Sequence, residues 1–350
     1  MANQEDRLLD RLDRFCDAVP RAAARPEELG DYVLFVRREE GGWPFYARPR
    51  RGAAAPPAAA DITTVRARQR ELGLPESFEW IHEIRPDLLA VARAAGLGVH
   101  QAPLMVLDPA ALPADSPADS PADPPAVRLL DPDSPGFETD LAAWFAVAQA
   151  AFNPVSTADG PLPTTSADAP EIVTVTFPTV DSGDRAPGTE WPTTGATAAV
   201  LATAANGPDA ASAAAQAPAT EATQTAAATH TTTATDLLPA TLVRHEGDAI
   251  RSGIHRIALA TLPGRTDPVA VGSVNRVDDV AEIVGVGTLP AARRQGLASA
   301  VTVTLARQAL ADGVDLVFLA AGSDDVAMLY HRLGFRRVGT ACIASPTATV

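Results

Sequence analysis

Nothing limits the possible folds of this chain more than residues 155–235, a segment built mainly from Ala, Thr, Pro and Ser. It has few large apolar side chains, so it cannot bury a hydrophobic core of its own. A structureless stretch of this length is also unusual inside a compact domain. We therefore interpret residues 155–235 as a disordered insertion, around which the rest of the chain folds.

A second low-complexity stretch divides the sequence again. Between residues 114 and 125 the chain repeats Ala-Asp-Ser-Pro, a composition typical of a linker. In chain order we predict a first lobe at 1–110, a linker at 111–126, a second domain with the insertion at 127–343, and a tail at 344–350.

Helices and strands alternate in the folded parts, which predicts a mixed α/β protein. In the first lobe we predict helices at 8–19, 61–72 and 86–95, and strands at 32–36, 43–47, 78–84 and 98–107. In the second domain we predict helices at 137–152, 240–250, 294–311 and 324–333, and strands at 127–130, 255–261, 269–275, 281–288, 314–320 and 336–343. Within the insertion only 171–177 has a strand-like pattern.

Composition excludes several functions. The net charge of −15 disfavours non-specific nucleic-acid binding, which needs a basic face. All basic residues are Arg, so lysine-dependent chemistry such as a P-loop or a Schiff base is excluded. Cys16 and Cys342 are far apart and no zinc motif occurs, so we expect no metal.

The sequence also predicts a location. The first residues lack the apolar stretch of a signal peptide, and no apolar run approaches the ~20 residues that a membrane span needs. We expect a cytoplasmic protein without a membrane partner, whose oligomeric state the sequence does not indicate.

Residues 283–298 (IVGVGTLPAARRQGLA) carry the strongest chemical signal. An apolar strand leads through a short Arg-containing turn into an amphipathic helix with small residues, Gly296 and Ala298, in its first turn. A helix N-terminus offers unpaired N–H groups and the positive end of the helix dipole. Arg293 and Arg294 add positive charge, so this turn has the features of a diphosphate-binding site.

The same run resembles the R-x-x-G-x-G/A signature of the GNAT superfamily of N-acetyltransferases, with Ala298 in place of the more frequent Gly. The resemblance implies that the turn holds the pyrophosphate of acetyl-CoA, and that the preceding strand pairs with the pantetheine arm and polarises the thioester. The implied cofactor-binding residues are Val286, Gly287, Thr288, Arg293, Arg294, Gln295, Gly296, Leu297, Ala298 and Ser299.

A second stretch, 323–335 (SDDVAMLYHRLGF), resembles the family motif N-x-x-A-x-x-L-Y-x-x-x-G-F. Tyr330 matches the tyrosine that protonates the departing thiolate, although it is also suited to be a packing residue. Ser323 stands where Asn is common and is implied to contact the cofactor. The resemblance covers 127–154 and 237–343, and implies a mixed, mostly antiparallel central sheet flanked by helices.

An amine acceptor also needs a general base. Residues 281–284 resemble a strand of the histone-acetyltransferase branch that carries a catalytic glutamate, so Glu282 is our candidate. Alternatively, Glu282 is a surface carboxylate, and nearby Asp278 or Asp279 acts instead. The four-residue spacing predicts that Glu282 and Val286 point to the same face of the strand.

The first lobe resembles the same fold more weakly and lacks the R-x-x-G-x-G/A run. We interpret it as a degenerate GNAT-like lobe, as in tandem enzymes with one silent and one active lobe. Glu79 and Trp80 are placed either in a substrate pocket or, as we favour, in the core. The aromatic residues Trp43, Phe45 and Tyr46 also fit a core.

Together these patterns predict transfer of an acetyl group from acetyl-CoA to a primary amine of a small molecule or peptide, without a metal. Two alternatives stay open. One is a non-catalytic acyl-CoA-binding or interaction module, and the other is a structural protein that binds no CoA.

Overall fold

The fold is described from a computed structural model, which covers residues 4–38, 45–53, 56–113, 125–152 and 238–347. The predicted insertion, the strand predicted at 171–177, most of the predicted linker and Trp43 lie outside these residues.

The described residues form seven α-helices and eleven strands, which we number in chain order. The helices are α1 (Gln4–Arg21), α2 (Ala59–Glu71), α3 (Leu88–Ala94), α4 (Phe137–Phe152), α5 (Ala240–Arg251), α6 (Leu297–Ala311) and α7 (Asp324–Arg332). The strands are β1 (Ala24–Leu29), β2 (Tyr32–Arg37), β3 (Ala47–Pro49), β4 (Phe78–Ile81), β5 (Leu97–Leu107), β6 (Ala126–Leu129), β7 (His255–Thr261), β8 (Ala270–Val277), β9 (Val280–Thr288), β10 (Leu316–Ala320) and β11 (Phe335–Pro346).

Most predicted elements are confirmed within a few residues. The strand predicted at 43–47 is wrong in its bounds, because β3 runs from Ala47 to Pro49. Two further differences are informative. Strand β1 was not predicted, because its sequence ARPEEL lacks an apolar alternation. Helix α6 begins at Leu297 rather than at residue 294, since Arg294 and Gly296 have positive φ angles of 64° and 75°, which are incompatible with a right-handed helix.

All eleven strands belong to one sheet, in the order β1-β2-β3-β4-β11-β5-β10-β9-β8-β7-β6. The pairs β3–β4 and β9–β10 are parallel and the other neighbours are antiparallel. The expected mixed, mostly antiparallel sheet is therefore confirmed. Strand β11 lies between β4 and β5, and β5 lies between β11 and β10, so strands of the two predicted lobes interleave. The division into lobes stays a prediction.

Helices cover both faces of the sheet. On one face α6 packs through Leu297, Val301 and Leu305 against the cluster that includes Ile283 of β9. On the other face α1 packs through Phe15, whose ring meets Phe318 of β10 edge-on at 5.0 Å. Helices α4 and α5 cover the β6–β8 end of that second face, where their apolar residues contact Ile257, Leu259 and Val271.

Candidate active site

A gap opens between the parallel strands β9 and β10. Their pairing begins at Val280–Leu316 and ends at Glu282–Phe318. Beyond this point β10 stays with β5, whereas β9 continues along β8 as far as Thr288. None of the described strands pairs with this last part of β9 on the side that faced β10. The two strands therefore diverge into a V-shaped opening that leaves backbone groups of β9 available for another partner.

A β-bulge in β9 lies at the side of this gap. Residues Gly285 and Val286 together face the single residue Gly272 of β8, because the register shifts between Val271 and Ser273. Gly285 has φ 62°, which a glycine adopts without steric cost. The extra residue reverses the alternation of side chains, so the predicted common face of Glu282 and Val286 is wrong. Val286 packs towards α6, and Glu282 faces α1.

The turn before α6 has the backbone geometry of an anion-binding site. Arg294 and Gly296 are both in the left-handed region, a conformation that turns successive N–H groups towards one side. The first helical hydrogen bond runs from the Ala300 N–H to the Gly296 carbonyl at 2.9 Å, so the N–H groups of residues 297–299 precede the helical ladder. A Cβ placed on Gly296 would meet nothing within 4 Å. The helix thus presents its N-terminus to open space.

The arginines of the turn behave differently from each other. Arg293 donates from Nε to the Thr288 carbonyl at 3.3 Å and from Nη2 to the Ala151 carbonyl at 3.4 Å. It therefore ties the turn to the ends of β9 and α4. Arg294 and Gln295 are exposed beside the helix N-terminus. A phosphate contact by any of the three stays a prediction.

The end of β9 has features that fit a bound pantetheine arm. The Thr288 hydroxyl oxygen is buried and has no hydrogen-bond partner among the described residues. Gly287 lies so close to α4 that an added Cβ would approach Ala151 Cβ to 2.9 Å and Phe152 Cζ to 3.0 Å. An orphaned hydroxyl and an unpaired strand edge are groups that an amide-rich chain such as pantetheine would satisfy. The residues present therefore fit acetyl-CoA.

Tyr330 lies on α7 in the core beneath α6. Its ring packs against Phe335 at a centroid distance of 6.0 Å, and its side chain is 8% exposed. Burial raises the pKa of Tyr330 to about 12, and a side-chain hydrogen bond with Thr302 of α6 acts in the opposite direction. The hydroxyl therefore carries its proton at neutral pH. Both readings of this residue, as proton donor and as packing tyrosine, are compatible with this position.

Ser323 has a structural role that the motif comparison did not predict. It is the N-cap residue of α7, and its hydroxyl accepts a hydrogen bond from the Val326 N–H at 3.3 Å. This contact satisfies one of the unpaired N–H groups of the first helical turn. The predicted contact of Ser323 with the cofactor stays a prediction.

Glu282 is one of the most deeply buried charged residues, with 1% of its surface exposed. It lines a small cavity of about 20 Å³ at the point where β9 and β10 part. Cys16 of α1 and residues of β3, β4, β5, β10 and β11 also line the cavity. The alternative that Glu282 is a surface carboxylate is therefore wrong.

Residues of the predicted first lobe contribute polar groups to the same cavity. Glu79 and Trp80 of β4 line it, as do Tyr46 and the buried Arg48. Sequence reasoning missed Arg48 altogether. The sequence did contain one indication, because Arg48 follows the apolar run Phe45-Tyr46-Ala47. A charged residue in a buried strand needs a partner, so this position could have been identified as part of a polar cluster.

The alternative bases, Asp278 and Asp279, lie elsewhere. Both are exposed in the turn between β8 and β9, before the paired part of β9 begins. Asp279 bonds to Arg11 of α1 at 2.7 Å. The structure thus places them at the end of β9 away from the gap.

The candidate acid and base occupy opposite faces of the sheet. Tyr330 belongs to the core under α6, and Glu282 belongs to the cavity under α1. The gap between β9 and β10 lies between them. A reaction in this gap would therefore have a proton donor on one side and a proton acceptor on the other.

Other kinds of site receive no support from the described residues. Among them, no group of three or more His, Cys, Asp or Glu side chains is arranged to hold a metal ion. Within the same ranges, no helix is both long and apolar enough to cross a membrane.

Comparison with known proteins finds a family match within the predicted second domain. Residues 236–335 match the model of the Acetyltransferase (GNAT) family. This part of the chain therefore carries the match to the GNAT family, which supports acyl transfer in general as its activity. No protein of curated function matches the sequence significantly.

The fold of the whole chain is similar to solved structures. A GCN5-related N-acetyltransferase from Kribbella flavida aligns over 98% of this chain and 96% of its own, with a TM-score of 0.55 and 19% identity. A GCN5-related N-acetyltransferase-like protein from Streptococcus suis aligns over 97% and 98%, with a TM-score of 0.44 and 10% identity. The first similarity extends over the residues of both predicted lobes.

Proposed function

We propose that the chain transfers the acetyl group of acetyl-CoA to a primary amine of a small molecule or peptide. The observation that carries the proposal is the gap between β9 and β10, which opens beside the exposed N-terminus of α6. Acetyl-CoA would supply a thioester, whose carbonyl carbon is the electrophile.

The backbone would bind the donor. The N–H groups at the start of α6 are available to the pyrophosphate, and the helix dipole favours negative charge at this end. The free edge of β9 at Val286–Thr288 would pair with the pantetheine arm. Donors fixed in this edge also stabilise the negative charge that develops on the thioester oxygen.

Side chains would move the protons. Glu282 accepts a proton of the acceptor ammonium, which frees the nitrogen lone pair for attack. Tyr330 donates its proton to the leaving thiolate, for which its raised pKa keeps it protonated. Because these residues lie on opposite faces, we propose that the acceptor enters from the α1 face and the donor from the α6 face.

The proposal is tested by isothermal titration of acetyl-CoA into the wild type and into Gly296→Glu. The glutamate puts a negative charge at the proposed pyrophosphate site, so binding should be lost. Gly313→Glu is a matched control, because Gly313 also has a positive φ, 87° against 75°, and open space around it, but it follows the C-terminal end of α6. Equal binding by both variants would reject the site.

Turnover on a panel of amines then separates an enzyme from a module that only binds acyl-CoA. Binding without any turnover would favour the non-catalytic module. Absence of binding by the wild type would reject both and leave a structural role.

A further inference from the structure

The cavity beside Glu282 holds charged side chains that the proposed reaction does not use. Glu79 of β4 and Arg48 of β3 both line it and are only 5% and 2% exposed. They come from the lobe that lacks the pyrophosphate signature. Burying such groups is costly unless they are paired, so their presence next to the candidate base needs an explanation.

Several of their polar atoms lack a partner. Glu79 Oε1, Arg48 Nε and Arg48 Nη1 are buried without a hydrogen bond among the described residues. Within the described part of the chain, the Arg48 side chain is bonded only through Nη2, which donates to Asp13 of α1. Each unsatisfied buried group lowers the stability of the folded chain. An occupant of the cavity that both accepts and donates hydrogen bonds would remove this cost.

The strand arrangement brings these groups together. Ala47 pairs with Phe78, so Arg48 and Glu79 are adjacent on neighbouring strands. From β4 to β9 there are four strand steps, which would span roughly 19 Å in a flat sheet. Glu79 and Glu282 nevertheless line one small cavity, so the sheet curls around it beneath α1.

The size of the cavity limits what it can hold. A water molecule needs about 10–15 Å³ of such space and two to four polar partners. The volume of about 20 Å³ is therefore enough for about one water molecule. Arg48 offers donors, Glu79 an acceptor, and Glu282 a second carboxyl group.

We propose that Glu79 and Arg48 are positioning residues for the general base, because they hold one water molecule against Glu282. This inference rests on the proposed function. In the step, an N–H bond of the acceptor ammonium breaks and its proton passes to the water. The water gives one of its own protons to the Glu282 carboxylate and is regenerated, and the lone pair left on nitrogen attacks the thioester.

The charges in the cavity support the assignment of Glu282 as the base and of Glu79 as a positioning residue. Burial raises the pKa of Glu79 well above its usual range, the charge of Glu282 raises it further, and Arg48 opposes both. The uncharged form of Glu79 is thus favoured, which suits a residue that positions the water, while Glu282 is the proposed base. Among the described residues, the titratable and charged groups that face this site are Asp13 and Cys16 of α1, Tyr46 and Arg48 at β3, Glu79 of β4, Glu282 of β9 and Cys342 of β11.

The test compares Glu79→Leu, which removes the acceptor, with Glu79→Gln, which retains an acceptor oxygen of similar position. Using acetyl-CoA and an amine that the wild type acetylates, we expect Glu79→Leu to lower kcat roughly tenfold or more, since general base catalysis contributes about 10²–10⁴. Glu79→Gln should retain most of the activity, and the affinity for acetyl-CoA should be unchanged in both.

A double-mutant cycle separates positioning from stability. In a Glu282→Gln background, Glu79→Leu should have no further effect, because both changes remove the same step. Gln69→Leu is the control: Gln69 is buried in the first lobe, bonds the Ser77 carbonyl at 2.9 Å and does not line the cavity. It should lower the melting temperature and leave kcat intact.

A high-resolution crystal structure tests for the water molecule directly, without any measurement of turnover. A water bonded to Glu79 and Arg48 is expected, and an empty cavity would overturn the inference. Wild-type turnover that survives Glu79→Leu, or additive effects in the cycle, would overturn it as well while leaving the proposed function intact. Absence of wild-type turnover on every amine would instead refute the proposed function.

Discussion

The close approach of α6 to β8 depends on the missing side chain at Gly272. A Cβ at this position would lie 2.7 Å from Val301 Cγ1, 3.1 Å from Leu305 Cδ1 and 3.2 Å from Val286 Cγ2. Overpacking of this kind costs about 1–3 kcal/mol. Replacing Gly272 by Ala also reduces the conformational entropy of the unfolded chain, and this offsets about 0.4–1 kcal/mol of that cost. We therefore expect a net loss of stability of about 1–2 kcal/mol.

Thermal unfolding of the full chain measures this loss. For the roughly 240 described residues, 1–2 kcal/mol corresponds to a fall in Tm of about 2–4 °C. Gly247→Ala is the control, because the nearest atom to its added Cβ is the flexible Arg251 Nη1 at 3.4 Å, and it should not lower Tm. An unchanged or higher Tm for Gly272→Ala would show that α6 can move away without cost, and would refute the tight contact.

Two further changes probe α7. Ser323→Ala removes the helix cap and should cost about 0.5–2 kcal/mol in a denaturant titration; weaker acetyl-CoA binding at unchanged stability would instead favour a cofactor contact. Tyr330→Phe should lower kcat more than acetyl-CoA affinity, and unchanged turnover would reject its catalytic role. Because the folded pKa of Tyr330 is about 12, above its usual value of 10, its contribution to stability is complete below pH 10 and is lost towards pH 12. In Tyr330→Phe the free energy of unfolding should therefore fall less steeply between pH 10 and pH 12 than in the wild type. An unchanged slope would contradict the raised pKa of the buried tyrosine.

Sequence patterns predicted the elements whose bounds are set by neighbouring residues in the chain. Helix α1 follows from apolar residues at helical spacing, and α6 ends before Gly313 as expected. The bulge at Gly285 and Val286 was not predictable from alternation alone, because it is a property of pairing with β8. It changed the face on which Val286 lies, and with it the geometry of the candidate site.

The cavity illustrates a stronger limit of sequence reasoning. Glu282 was identified from its strand, and Glu79 was noted as a pocket residue that we favoured as core. Nothing in the sequence indicates that Arg48 and Glu282, far apart along the chain, share one cavity with Glu79. That proximity arises from the order of strands in the sheet and from its curl, which depend on contacts between distant segments.

The interleaving of β5 and β11 also limits where the chain can be cut into fragments and how the two halves of its gene can recombine. Strand β11 takes both of its neighbours, β4 and β5, from the N-terminal third of the chain. A cut in the linker would leave a C-terminal fragment whose last strand has lost both partners and whose β10 has an open edge. Exposed strand edges promote association with other chains. Recombination that replaces one half of the gene would face the same penalty, so both halves are expected to descend together even if only one binds the donor.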